Sequence, residues 1–134
     1  MISSLPQRKV WLIVPLLLLL ALLACDLFGA GPTEGKPTIA IVSPPSGTQV
    51  EVGQQLNVQS AATDSQGVVR VELWVDGALY RSDASPSPQG QTSFSLVQPW
   101  TASTIGSHTL LVKAYNVAGT ASDPAIIVVN VVEA

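Results

Sequence analysis

The sequence predicts an all-β body, a seven-stranded antiparallel β-sandwich, standing behind a cleaved signal peptide. Three observations carry this. From Thr38 onward apolar and polar residues alternate in short runs, with no helical period of useful length. Turn-forming residues punctuate those runs at Pro44-Pro45, Gly67, Asp76-Gly77, Ser85–Gly90 and Gly119. Ahead of Cys25, by contrast, lie a basic pair and one unbroken apolar run, and the composition changes for good after it.

The first strand is Ile39–Val42, ended by Pro44-Pro45, whose missing N–H groups suit a sheet edge. Val50 and Val52 form a short continuation. The second strand runs from Gln54 to Thr63, with Leu56, Val58, Ser60 and Ala62 on one face and Asn57 and Gln59 on the other. A loop, Asp64–Gly67, leads into the clearest strand, Val68–Val75. There Val69, Val71, Leu73 and Val75 share one face, and Arg70, Glu72 and Trp74 take the opposite one. Asp76-Gly77 suits a two-residue type I′ hairpin turn, because both central positions need positive φ.

Ala78–Ser82 returns as a short strand, and Ser85–Gly90 is a polar loop. Phe94 and Leu96 mark the next strand, which leads to Pro99-Trp100. His108–Tyr115 alternates again, with Leu110, Val112 and Ala114 inward, and Asn116–Gly119 makes the following turn. The last strand, Ala125–Val132, is almost continuously apolar. Such a run is expected of a strand buried on both faces or lying at a subunit contact.

At the other end of the chain, Arg8 and Lys9 precede an apolar run of 15 residues, Val10–Ala24. A membrane-spanning helix needs about 20, so the run is short for a permanent anchor and suited to a signal peptide. Leu22-Leu23-Ala24-Cys25 resembles the lipobox of bacterial lipoproteins. The resemblance implies a diacylglyceryl group on the Cys25 sulfur and cleavage between Ala24 and Cys25. Two or more acyl chains give stable anchoring where one is marginal. The expected organisation is a signal peptide at 1–24, a lipidated cysteine and linker at 25–37, and the sandwich at 38–134. The protein is then expected on the extracytoplasmic face of the cell membrane, held by its lipid. The Gly- and Pro-rich stretch Asp26–Pro37 would reach roughly 40 Å fully extended and nearer 20 Å as a coil.

Residues 25–134 carry four basic and nine acidic side chains, a net charge of −5. A nucleic-acid partner would need a basic patch, and none is present. Attraction to anionic lipid through protein charge is excluded on the same ground. The single cysteine, Cys25, leaves the sandwich without a disulfide, so its core and its sheet hydrogen bonds must hold it. No cofactor is expected beyond the lipid on Cys25.

Three stretches resemble bacterial Ig-like domains, the immunoglobulin/fibronectin-type sandwiches of bacterial surface proteins. They are Ile41–Gly47 (IVSPPSG), Gly67–Gly77 (GVVRVELWVDG) and Gly106–Gly119 (GSHTLLVKAYNVAG). Leu110 stands where fibronectin-type domains often have Tyr in Tyr-x-Val-x-Ala-x-Asn, and the cysteine pair of antibody-type domains is missing. The resemblance implies the fold but no single function, since such domains serve as spacers, adhesins and carbohydrate-binding modules.

Candidate sites follow from parity. Trp74 and Tyr115 lie on outward positions of strands expected to be neighbours. With Arg70, Glu72 and Lys113 they would form an aromatic patch edged by charge, suited to docking a protein or stacking on a sugar ring. His108, the only histidine, has no second His or Cys near it in sequence to make a zinc site and is expected to be partly buried and bonded to backbone. Asp64, Asp76, Asp83 and Asp123 are expected as solvated turn residues, since the dense alternate spacing of a calcium loop is missing. Trp100 is expected to close the core. No motif such as G-x-S-x-G is present, and a non-catalytic role in adhesion, envelope organisation or protein docking is expected, with carbohydrate binding as the alternative.

Overall fold

A computed structural model describes residues 35–134, which form one compact unit. The leader and Cys25 lie outside the described residues. Seven strands make up the unit: β1 (Thr38–Ser43), β2 (Thr48–Glu51), β3 (Gln55–Val75), β4 (Ala78–Ala84), β5 (Gln91–Thr101), β6 (Gly106–Asn116) and β7 (Ala125–Val132). Among the described residues there is no helix.

The expected strand count holds, but its composition differs. Asp64–Gly67, expected as a loop, does not interrupt the strand: β3 runs unbroken for 21 residues. Laid straight, a strand of that length would reach about 70 Å, far more than so small a domain can hold. Val58 and Ala62 in its first half and Val71 and Leu73 in its second belong to the same core, so β3 folds back on itself. The first half pairs with β1 and β5, and the second with β4 and β6. The sandwich therefore has a three-stranded layer, β1-β3-β5, and a five-stranded layer, β4-β3-β6-β7-β2.

The fold-back is built at one corner. Asp64, expected as solvated, is buried, and its Oδ2 accepts the backbone N–H groups of Gln66 (2.9 Å) and Gly67 (3.0 Å). Its Oδ1 accepts from the side-chain amide of Asn116 at 3.4 Å. Gly67 (φ 116°) and Gly90 (φ 85°) meet backbone to backbone: a Cβ on Gly90 would lie 2.8 Å from the Gly67 carbonyl carbon. Asn116 is fully buried and also holds the Gly35 carbonyl (2.7 Å) and the Thr120 N–H (2.9 Å). The last residues of the expected linker thus run along the domain at this end, where Lys36 also meets Asp123 at 3.1 Å.

The sheet is not wholly antiparallel, which corrects the expectation. β2 pairs with β7 in parallel, from Thr48 opposite Val129 to Glu51 opposite Val132. Pro44-Pro45 releases the chain from β1 before the turn at Gly47, and the next four residues join the far edge of the other layer. The apolar run of β7 is buried on one face only: Ile127, Val129 and Val131 point into the core, while Ile126 and Val128 are 54% and 39% exposed.

Val58, Val68, Val71, Leu73, Leu110, Val112, Ala114 and Val129 are completely buried, and Trp100 closes the core at 4% exposure. Each fully buried Val or Leu contributes about 1.5–3 kcal/mol. Leu110 fills the core at the position where the resemblance sets a tyrosine.

Of two glycine substitutions, one should be far more damaging. Gly119→Ala meets open space at φ 82° and should cost about 1–2 kcal/mol for the left-handed backbone alone. Gly90→Ala must also displace the Gly67 backbone and should cost roughly 3 kcal/mol or more. Urea denaturation of the two variants measures the difference.

Candidate functional site

The five residues singled out in the sequence come together on the outer face of the five-stranded layer. Register accounts for it: Arg70 lies opposite Tyr115, Glu72 opposite Lys113, and Trp74 opposite Leu111 across β3 and β6. The Glu72 carboxylate sits in the middle, on a side chain that is 12% exposed. One of its oxygens accepts from Trp74 Nε1 at 3.2 Å, the other from Arg70 Nε at 3.4 Å. The Arg70 guanidinium lies 3.7 Å from the centre of the Tyr115 ring, and the Lys113 ammonium 5.1 Å from that of Trp74. Burial, and then the nearby Glu72 carboxylate, push the Tyr115 phenol above its ordinary range.

One face of each ring is therefore already taken by a cation. Each such contact is worth about 0.5–1 kcal/mol at an exposed site. A sugar stacking there would have to displace them, whereas a protein partner can meet the ladder as it stands.

Beside this ladder runs an apolar row that the sequence reading missed. Leu79, Trp74, Leu111 and Ile126 stand opposite one another in register across β4, β3, β6 and β7, a span of about 14 Å. Leu79 and Ile126 at its ends are 51% and 54% exposed, and Val128 lies two residues along β7 from Ile126. Only the almost continuous apolar run of β7 signalled this row in the sequence.

His108 lies at the opposite end of the sandwich from the Asp64 corner. Its Nε2 meets the Thr104 carbonyl and its Nδ1 meets Asp76 Oδ2, both at 2.6 Å. The backbone bond was expected; the carboxylate was not. Asp76 forms the Asp-Gly turn as predicted (φ 51° and 83°) and also accepts the Thr109 N–H at 2.9 Å. Both ring nitrogens face acceptors, an arrangement that favours the doubly protonated ring, in which both donate. The Asp76 bond first, and then the Thr104 carbonyl, raise its pKa above 6.5. Thr109 first, and then His108, lower that of Asp76 below 3.8. The ring also packs on Trp100, with centroids 5.5 Å apart. Neither nitrogen is left over as a base.

Asp83, expected as solvated, is half-buried and paired with Arg81 through two 2.8 Å bonds, which with Gln98 hold its carboxyl below the usual range. Asp123 is solvated as expected. Among the described residues no three His, Cys, Asp or Glu side chains converge as a metal site would require.

Residues 37–112 match the family model for the bacterial Ig domain. The chain belongs to that family. Among solved structures, this Ig domain is similar to the fibronectin(III)-like modules of CbhA from Clostridium thermocellum, with 28% identity and a TM-score of 0.61. That match covers 73% of this chain and 47% of the other, so the chain spans about half the length of that structure. A CARDB domain from Pyrococcus furiosus matches with 17% identity and a TM-score of 0.54, over 73% of this chain and 94% of its own. The SrpA adhesin of Streptococcus sanguinis matches with 19% identity and a TM-score of 0.53, over 76% and 58%. At these last two identities the likeness concerns the fold alone. No curated protein sequence matches.

The pH dependence of stability should show the His108–Asp76 pair. Because the histidine's folded pKa is raised, its contribution is complete below pH 6.5 and is lost as pH rises through the raised value. Because the aspartate's is lowered, its contribution is complete above pH 3.8 and is lost as pH falls through the lowered value. Thermal melts of the native domain should therefore lose stability above pH 6.5 by an amount that His108→Gln abolishes.

Proposed function

We propose that this Ig domain is a membrane-anchored, non-catalytic docking or adhesion module. In this reading the lipid on Cys25 holds it at the extracytoplasmic face, and the outer face of β3, β6 and β7 meets a protein partner. The apolar row from Leu79 to Ile126 beside a charge-satisfied aromatic ladder carries this reading. A contiguous exposed apolar surface with aromatic and arginine neighbours is the composition of a protein interface core. The cations over Trp74 and Tyr115 weigh against a carbohydrate platform. The Leu-Leu-Ala-Cys segment at 22–25 supports the anchor.

Two measurements test the two halves separately. Cys25→Ser should abolish incorporation of labelled palmitate and move the protein out of the membrane fraction; an unlabelled native protein would overturn the anchor. A photo-cross-linking side chain at Ile126 should give a discrete adduct on intact cells, weakened by Trp74→Ala and absent with the cross-linker at Asn57 on the other layer. Equal yields from both positions would overturn the docking face. A change in tryptophan fluorescence on adding cell-wall polysaccharide would favour the carbohydrate alternative.

A further inference from the structure

The three-stranded layer ends in an open edge. β5 pairs with β3 and with no other strand. The bond from the Ala102 N–H to the Gln54 carbonyl (3.0 Å) sets the phase of that ladder, which keeps one register from Gln55–Thr101 to Thr63–Ser93. Phe94, Leu96, Gln98 and Trp100 therefore turn their N–H and C=O groups toward β3, and Ser93, Ser95, Val97, Pro99 and Thr101 turn theirs away. Two of these five are closed off: Pro99 has no N–H, and the Thr101 N–H donates to the Tyr80 hydroxyl at 3.4 Å. Among the described residues, no backbone partner occupies the edge groups of Ser93, Ser95 and Val97.

Edge strands are normally guarded by charge, by bulges or by cover. This one has none of these over its open half. Gln91–Thr101 contains no charged residue, the side chains of Ser93 and Ser95 are small and exposed, and Val97 is 52% exposed. The guarding by Pro99 and Tyr80 is confined to the other half.

We propose that β5 pairs through this edge with β5 of a second copy, antiparallel, with Ser95 on the two-fold axis. Ser95 then stands opposite the partner's Ser95, and Ser93 opposite the partner's Val97. In this register every open position of both copies meets another open position, and the three pairs exchange about six backbone bonds. A shift of the axis toward Val97 would set Ser93 against Pro99, which has no N–H to return. A shift toward Ser93 would set Val97 against Gln91, beyond the three open positions. The acidic domain would ordinarily repel its own copy, and an uncharged edge is where that repulsion is least. Two three-stranded layers become one of six strands. Such pairing buries little apolar surface, so it is weak in solution and is best read by cross-linking.

Residues 35–134 contain all seven described strands, the core they enclose and no cysteine, and serve for the test. Hydrogen-bonded antiparallel partners lie about 5.5 Å apart at Cα, within disulfide reach, whereas two copies of Ser93 would be roughly 15 Å apart. Under mild oxidation Ser95→Cys should form a covalent dimer at least about tenfold faster than Ser93→Cys. Mixing Ser93→Cys with Val97→Cys should give a mixed disulfide, and adding Ser95→Pro to both should abolish it. If Ser95→Cys dimerises no faster than Ser93→Cys, or the mixture fails to cross-link, the proposal is wrong. An edge that instead accepts an unrelated extended segment would give that same negative result.

Discussion

The corner at Asp64–Gly67 is the constraint on which the rest of the sandwich depends. A single strand serves both layers, so the two layers can face each other only if that strand reverses within four residues. Reversal exposes backbone N–H groups that a buried corner must satisfy. The Asp64 carboxylate satisfies two of them, and the close approach of Gly67 and Gly90 lets the next connection cross without a side chain in the way. Asn116 then links the corner to the Gly35 carbonyl and to the β6–β7 turn. The start of the described chain, the corner and the turn after β6 are thereby held at one end, and His108 and the Asp-Gly turn at the other.

The outer face inherits its geometry from this arrangement. Once the second half of β3 is set against β6, register alone puts Glu72 beside Arg70 and Trp74 and sets Lys113 and Tyr115 across from them. The contacts among these side chains are individually small, since the Arg70 end of its pair with Glu72 is 41% exposed and pairs open to solvent contribute about 0–1 kcal/mol. Their effect is to fix side-chain orientation more than to stabilise the domain. A surface ordered before a partner arrives loses less conformational freedom on binding.

Much of this was legible from period and turn chemistry. The alternation of Val71–Val75 and of Leu110–Ala114 set which residues face inward and brought the five outer-face residues together. A bulge between Val68 and Arg70, however, puts Val68, and not the expected Val69, in the core. Asp-Gly at 76–77 declared its turn because few residue pairs tolerate positive φ twice. What remained hidden acts across long separations. Asp64 and Asn116 are 52 residues apart, and Asp76 and His108 are 32 apart, so nothing local distinguishes these aspartates from solvated ones. The parallel pairing of β2 rests on four residues, too few to show a direction. The strand marked by Phe94 and Leu96 proved to be 11 residues long, an extent its sequence concealed because its outward side carries hydroxyl groups at Ser93, Ser95 and Thr101.

Amide hydrogen exchange of the domain decides whether the corner holds the two layers together. If the corner is what keeps the two layers together, the Gln66 and Gly67 N–H groups should open only when the whole domain unfolds. They should then exchange with the same free energy as the core amides of Val71 and Leu73. Exchange at the corner far faster than in those core strands would show a local flap, and would contradict the account.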